Sequence, residues 1–178
     1  MKKYKDKIDK LSIKQIVTEI EEGRIPETEE ILLLQDISSG SVAHILASHS
    51  GETGWVTKDK EILMLKSVYG YSVAHILASY SYKTGWSTED KEILMLKSIY
   101  GYSVAHILAD NSVETGWITK DKEILMLQDE TGVSVAHNLA YCHLTWSTDD
   151  PELLSLTNKW GNTVENALIT KRNRNGKP

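Results

Sequence analysis

A serine stands three residues ahead of a histidine four times, as Ser41 and His44, Ser72 and His75, Ser103 and His106, and Ser134 and His137. As nucleophile and base, such a pair needs a third group to orient the imidazole and an oxyanion site to face the hydroxyl. No acid recurs beside the pairs at a spacing suited to that role. The other chemistry open to the pair is helix capping. The hydroxyl accepts an orphan amide of the first turn, and an imidazole at the third helical position returns a hydrogen bond to the cap or to a neighbouring loop backbone. A second grouping, His137, Cys142 and His143, holds competent metal ligands. Its spacing matches none of the usual zinc patterns and the chain has one cysteine, so neither a metal nor another cofactor is expected.

The elements that position these residues repeat with them. Ser41, Ser72, Ser103 and Ser134 are 31 residues apart each time. "GWVTKDKEILML" at Gly54 returns at Gly85 and Gly116 with the same period and small changes. One phrase in four copies suits tandem units, each presenting the same packing surfaces to its neighbours, better than it suits catalysis. The expected fold class is all-α, an α-solenoid of tandem helix-turn-helix repeats with N- and C-terminal capping units.

Within a unit, "VAHILA" forms the first helix, with Val73, Ala74, Leu77 and Ala78 on one face. The two alanines let another helix approach closely. The second helix is expected to begin after Thr57, Thr88 or Thr119 as N-cap, with Asp59, Asp90 or Asp121 favoured by the helix dipole. In the last copy Pro151 fits a first-turn position. Trp55, Trp86, Trp117 and Trp146 precede these helices at full-repeat spacing and read as packing anchors between units, as do the four histidines. The lysines and acids of "KDKE" alternate, which reads as a solvated face. These patterns divide the chain into a basic segment 1–10 and a repeat domain 11–170. The domain comprises a capping unit 11–30, repeats 31–61, 62–92, 93–123 and 124–152, and a C-terminal cap 153–170. A basic tail, 171–178, follows, and both basic ends are expected to be solvated and poorly ordered.

No apolar run approaches the roughly 18 residues of a membrane span, and "MKKYKDKIDK" lacks the apolar stretch of a signal peptide. A cytoplasmic location, with no membrane contact, is the expectation. The net charge is −5, but the two ends carry +3 and +4, which leaves −12 on residues 11–170. Such an acidic body disfavours direct nucleic-acid binding.

"GYSVAHILA" resembles the GxTPLHxAA opening of ankyrin repeats, with Ser for Thr, Val-Ala for Pro-Leu and the His kept. "GWxTxDKEIL" looks like their second-helix segment. The resemblance covers roughly residues 20–170 and implies a right-handed stack of helix pairs, a non-catalytic role and protein binding. The units here are 31 residues long, and "EILMLKS" runs almost directly into "YGYS", leaving no room for the projecting ankyrin hairpin. A variant leucine-rich repeat is the alternative relative.

In a stack, positions that vary between copies are free to specify a partner. The inter-helix loops and the turns before each serine (Asp36–Ser39, Ser67–Tyr71, Ser98–Tyr102) vary most. Tyr71, Tyr80, Tyr82 and Tyr102, with His49 and Lys83, are therefore the partner-binding candidates. Tyr69 and Tyr100, one repeat apart, are read first as packing against the next turn. The expected function is a non-catalytic interaction module, an adaptor or inhibitor gripping a partner protein. The alternatives are an acidic decoy that blocks a nucleic-acid-binding protein and a hydrolase using the Ser-His pairs.

Overall fold

Each Ser-Val-Ala-His segment begins a helix in the computed structural model, which describes residues 4–36 and 40–175. Residues 37–39 of the first variable turn, and the outermost residues of both basic ends, lie outside the described residues. The N-terminal part comprises α1 (Lys5–Ile8), α2 (Ile13–Glu21), α3 (Glu29–Leu32) and a short antiparallel pair, β1 (Gln35–Asp36) with β2 (Gly40–Ser41). Next come α4 (Val42–Ser48), α5 (Ser50–Thr53) and α6 (Lys60–Met64), then α7 (Val73–Ser79), α8 (Ser81–Thr84) and α9 (Lys91–Leu94). They are followed by α10 (Val104–Asp110), α11 (Ser112–Thr115), α12 (Lys122–Leu125), α13 (Val135–Cys142), α14 (Pro151–Ser155) and α15 (Val164–Asn175). The fold is helical, and no described helix is long and apolar enough to cross a membrane.

The long helices pack in sequence order, α2 on α4, α4 on α7, α7 on α10, α10 on α13 and α13 on α15. Their valines and alanines are sealed from solvent, and Leu77, Leu108 and Leu139 sit between neighbouring helices with no exposed surface. Each such leucine contributes about 2 kcal/mol of burial. Ile62, Ile93 and Ile124 extend this core into the row of shorter helices.

Local chemistry places the boundaries differently from the sequence periodicity. The cap of each shorter helix is the aspartate, not the threonine: the carboxylates of Asp59, Asp90, Asp121 and Asp150 each accept two first-turn amides. The hydroxyls of Thr57, Thr88, Thr119 and Thr148 accept the aspartate amide instead, at 3.1–3.2 Å. A carboxylate reaching two donors at a helix N-terminus outcompetes a single hydroxyl. The breaks expected after residues 30, 61, 92, 123 and 152 all fall inside these helices, so the structural unit runs from one cap serine to the next.

The inter-helix loop is not a single turn either. A short helical turn (α5, α8 or α11) follows α4, α7 and α10 and ends at a left-handed glycine, Gly54, Gly85 or Gly116. The fourth unit is two residues shorter here and lacks that turn. There Nδ1 of His143 accepts the amides of Thr145 and Trp146. The expected direct run into the next serine is a closed hairpin. Lys66 pairs with Ser72, Lys97 with Ser103 and Gln128 with Ser134 as isolated antiparallel bridges.

The basic ends are partly built in. Ile8 is buried, and α15 continues through Lys171, whose Nζ donates to the carbonyls of His143 (3.0 Å) and Trp146 (2.7 Å). The shortened fourth loop exposes two carbonyls, and the lysine meets them.

Two left-handed glycines, Gly54 after α5 and Gly101 in a hairpin, separate backbone strain from packing. Gly54 (φ +75°) has open space where a side chain would stand, whereas a Cβ on Gly101 (φ +72°) would lie 3.0 Å from the amide nitrogen of Glu130 in the next hairpin. Gly54→Ala should cost about 1 kcal/mol and Gly101→Ala about 2–3 kcal/mol. Urea unfolding of the two variants reads the difference, and equal losses would remove hairpin stacking as its cause.

Candidate functional site

The four Ser-His pairs form one device with a fixed protonation pattern. Each serine Oγ accepts the backbone amide of its histidine at 3.2–3.4 Å and lies 2.7 Å from Nδ1. The serine amide also faces Nδ1, at 3.1–3.2 Å. On the far side Nε2 meets a backbone carbonyl of the following unit: His44 that of Tyr71 (3.3 Å), and His75, His106 and His137 those of Tyr102, Val133 and Asn162 (3.1 Å each). A carbonyl only accepts, so Nε2 carries the hydrogen and Nδ1 accepts. Each carbonyl also takes the amide that closes its own hairpin, as Tyr102 does from Ser98 at 3.0 Å. The imidazole thus ties a helix start to the next hairpin. All four serine hydroxyls are buried, and among the described residues no carboxylate bonds to the rings, an arrangement suited to holding loops.

Burial holds the imidazoles below their usual pKa, His75 down to about 4, with the carbonyl bonds opposing and Lys66 adding to the shift. His44, His106 and His137 move the same way, with desolvation the leading cause. The unfolded chain takes up these protons near pH 6.5 while the folded chain resists. Stability is therefore complete above that pH and declines as pH falls towards 4. His75 alone accounts for about 3 kcal/mol of that loss. His75→Gln keeps a capping side chain without a titrating ring, so its thermal midpoint should fall less between pH 7 and pH 4 than that of the parent chain. Parallel melting curves for the two proteins would remove the imidazole from the account.

The tryptophans link adjacent units. The indole N–H of Trp55 donates to Glu27 (3.0 Å) and that of Trp86 to the Thr57 carbonyl (3.1 Å). Trp86 and Trp146 are buried, while Trp55 and Trp117 are half-buried. Trp117 borders a groove of about 450 Å³ with Tyr82 and Ile118. The "KDKE" face is an ion-pair ladder as well as a solvated surface. Lys60 bridges Asp90 and Glu92, Lys91 bridges Asp121 and Glu123, and Lys122 bridges Asp150 and Glu152, each reaching from one unit to the next. These pairs hold Asp90, Asp121 and Asp150 below the usual carboxylate range.

The partner-binding candidates scatter. Tyr102 is half-buried: its hydroxyl donates to Asp110 and accepts from Asn138 Nδ2 (3.2 Å), and its ring lies over His106 with centroids 5.0 Å apart. Burial and the neighbouring carboxylate push its hydroxyl pKa up, and burial raises that of Asp110. Tyr71 is half-buried, edge-on to His75 at 5.6 Å, and Tyr80 is half-buried over Gly51. His49 is exposed, with Nδ1 2.8 Å from a Glu21 carboxylate oxygen. Tyr82 is half exposed, and the Lys83 ammonium lies 5.8 Å from the centre of its ring. His137, Cys142 and His143 do not converge on a common point as ligands: both nitrogens of His137 are engaged, and Nδ1 of His143 caps a loop.

Besides the inter-helix loops, where Tyr82, Ile118 and Leu144 are exposed, large side chains reach solvent at the hairpin tips. Val68 (65% exposed), Tyr69 (64%), Ile99 (53%), Tyr100 (57%) and Trp160 (62%) stand there, so the packing role expected for Tyr69 and Tyr100 is reversed. The backbone beneath is fixed, since Glu130 N–H donates to the Tyr100 carbonyl (3.3 Å) and Lys159 N–H to that of Thr131 (2.9 Å). The third, fourth and last hairpins are thus hydrogen-bonded in turn, and Gly70 of the second lies close against Ile99 of the third. Sequence reasoning missed Val68, Ile99 and Trp160. The available signal was a large apolar residue one or two places before a hairpin glycine. No protein-family model and no curated protein matches the chain.

Tyr102→Phe should cost about 1 kcal/mol by leaving Asp110 and Asn138 without their shared partner. Chemical denaturation checks it, and an unchanged midpoint would assign the contact no weight.

Proposed function

We propose that the chain is an α-solenoid of tandem units with polar ends, acting in the cytoplasm as a non-catalytic adaptor or inhibitor that binds a partner protein. The observation that carries this reading is the contrast within each hairpin of the second and third units. The backbone is tied down by the preceding histidine, yet the tip presents an aliphatic-aromatic pair to solvent. Held in place before contact, such side chains lose little freedom on binding, and tyrosine and tryptophan are favoured where a few residues carry most of the affinity. An apolar row of this kind on a folded surface marks an interaction site. The buried serines and engaged imidazoles support the non-catalytic part of the proposal. The closed hairpin before each serine supports the resemblance to ankyrin repeats.

Affinity capture from the producing cell, followed by titration of the purified partner, tests the proposal. Tyr69→Ala with Tyr100→Ala should weaken the partner's Kd at least tenfold, about 1.4 kcal/mol or more. The thermal midpoint should hold, and Tyr102→Phe should bind as the parent does. Unchanged affinity in the Tyr69/Tyr100 variant would sink the assignment of the tips.

A further inference from the structure

We infer that the partner segment seated on the second and third hairpins is apolar and acidic, with its carboxylates placed against Lys66 and Lys97. This deepens the reading of the hairpin tips as the binding surface and rests on it. The two lysines occupy matching positions at the feet of the hairpins that carry Val68-Tyr69 and Ile99-Tyr100. Both are exposed. Lys66 has no carboxylate partner among the described residues, and Lys97 meets only the Gln128 carbonyl, at 3.0 Å. The lysines of the neighbouring ladder differ, since Lys60, Lys91 and Lys122 are each bracketed by two carboxylates. The carboxylates nearest the third hairpin are engaged elsewhere, Asp110 taking the Tyr102 hydroxyl and Asp129 its own turn, and no described carboxylate forms an ion pair with Lys66 or Lys97.

A partner that covers the tips takes water from both ammonium groups. Removing water from an unpaired charge is costly, so the segment that fits is one that brings its own carboxylates. The row also sets the register of that segment. At the fourth hairpin the sign reverses to Asp129 and Glu130. Asp129 is occupied inside its own turn, accepting from Thr131 N (2.8 Å), Thr131 Oγ1 (2.8 Å) and Val133 N (3.0 Å), while Glu130 is exposed. The last hairpin returns to positive, with Lys159 5.1 Å from the Trp160 ring centre. Acidic residues of the partner therefore fall opposite hairpins two and three and are repelled from hairpin four.

A random peptide display library selected on the intact chain tests this, followed by titration of the enriched peptides as synthetic probes. The expected peptides combine aliphatic or aromatic residues with Asp or Glu and require Tyr69 and Tyr100. They should bind Lys66→Glu/Lys97→Glu about tenfold more weakly, and regain affinity for that variant when their acids are replaced by lysine. Peptides that require the two tyrosines but are neutral or basic overturn the acidic assignment and leave the tips as the binding surface. Peptides that bind Tyr69→Ala/Tyr100→Ala as well as the parent overturn both. Failure to enrich any sequence overturns the acidic assignment, as does single-stranded oligothymidine binding through the same tyrosines, which would make the row a base-stacking platform.

Discussion

The hydrogen bond from each buried imidazole to the carbonyl ahead of the next cap serine sets the spacing of everything around it. Nδ1 must lie at the start of its own helix to accept the serine amide, so the ring's opposite edge points out of that helix at a fixed height. The following hairpin has to place a carbonyl there, and the two long helices must approach closely enough for it to arrive. Alanines at the second and sixth helical positions permit that approach. The contact sets the register between units, while the burial of the ring, which the carbonyl bond opposes, ties the fold's stability to a neutral imidazole.

Three rows follow from that register, each with different chemistry. The long helices bury valine, alanine and leucine. The shorter helices carry capping aspartates, bridged from unit to unit by lysine. The hairpins have a fixed backbone and free tips. The third row carries large apolar side chains in solvent on a backbone tied from the unit before, away from the serines and histidines that first suggest chemistry.

Much of this was legible in the sequence. The period, the serine caps and the role of the histidine all follow from residue type and position along one helix, and the structure agrees on each. The misplaced features depend on competition or on contacts at a distance. Thr57 and Asp59 are both good caps, and which one wins depends on the geometry of the preceding loop. Tyr69 and Tyr102 are similar residues in similar turns, but Tyr102 has Asp110 and Asn138 within reach where the other units carry serine or tyrosine and isoleucine. Nothing local in the sequence marks that difference. The hairpin was hidden by its brevity, because five residues close it with a glycine at positive φ.

The direction of the imidazole bonds gives the chain a polarity. Each hairpin after the first borrows a donor from the unit before it, whereas none of the four capped helices borrows the matching acceptor from behind. A unit emerging during synthesis therefore finds the donor for its hairpin already in place, and assembly can proceed from the amino terminus one unit at a time. Loss of the last units would leave an imidazole N–H facing water, which satisfies it. Loss of the first would leave a hairpin without its tie, so the two ends of the chain are not equivalent in how the fold comes apart.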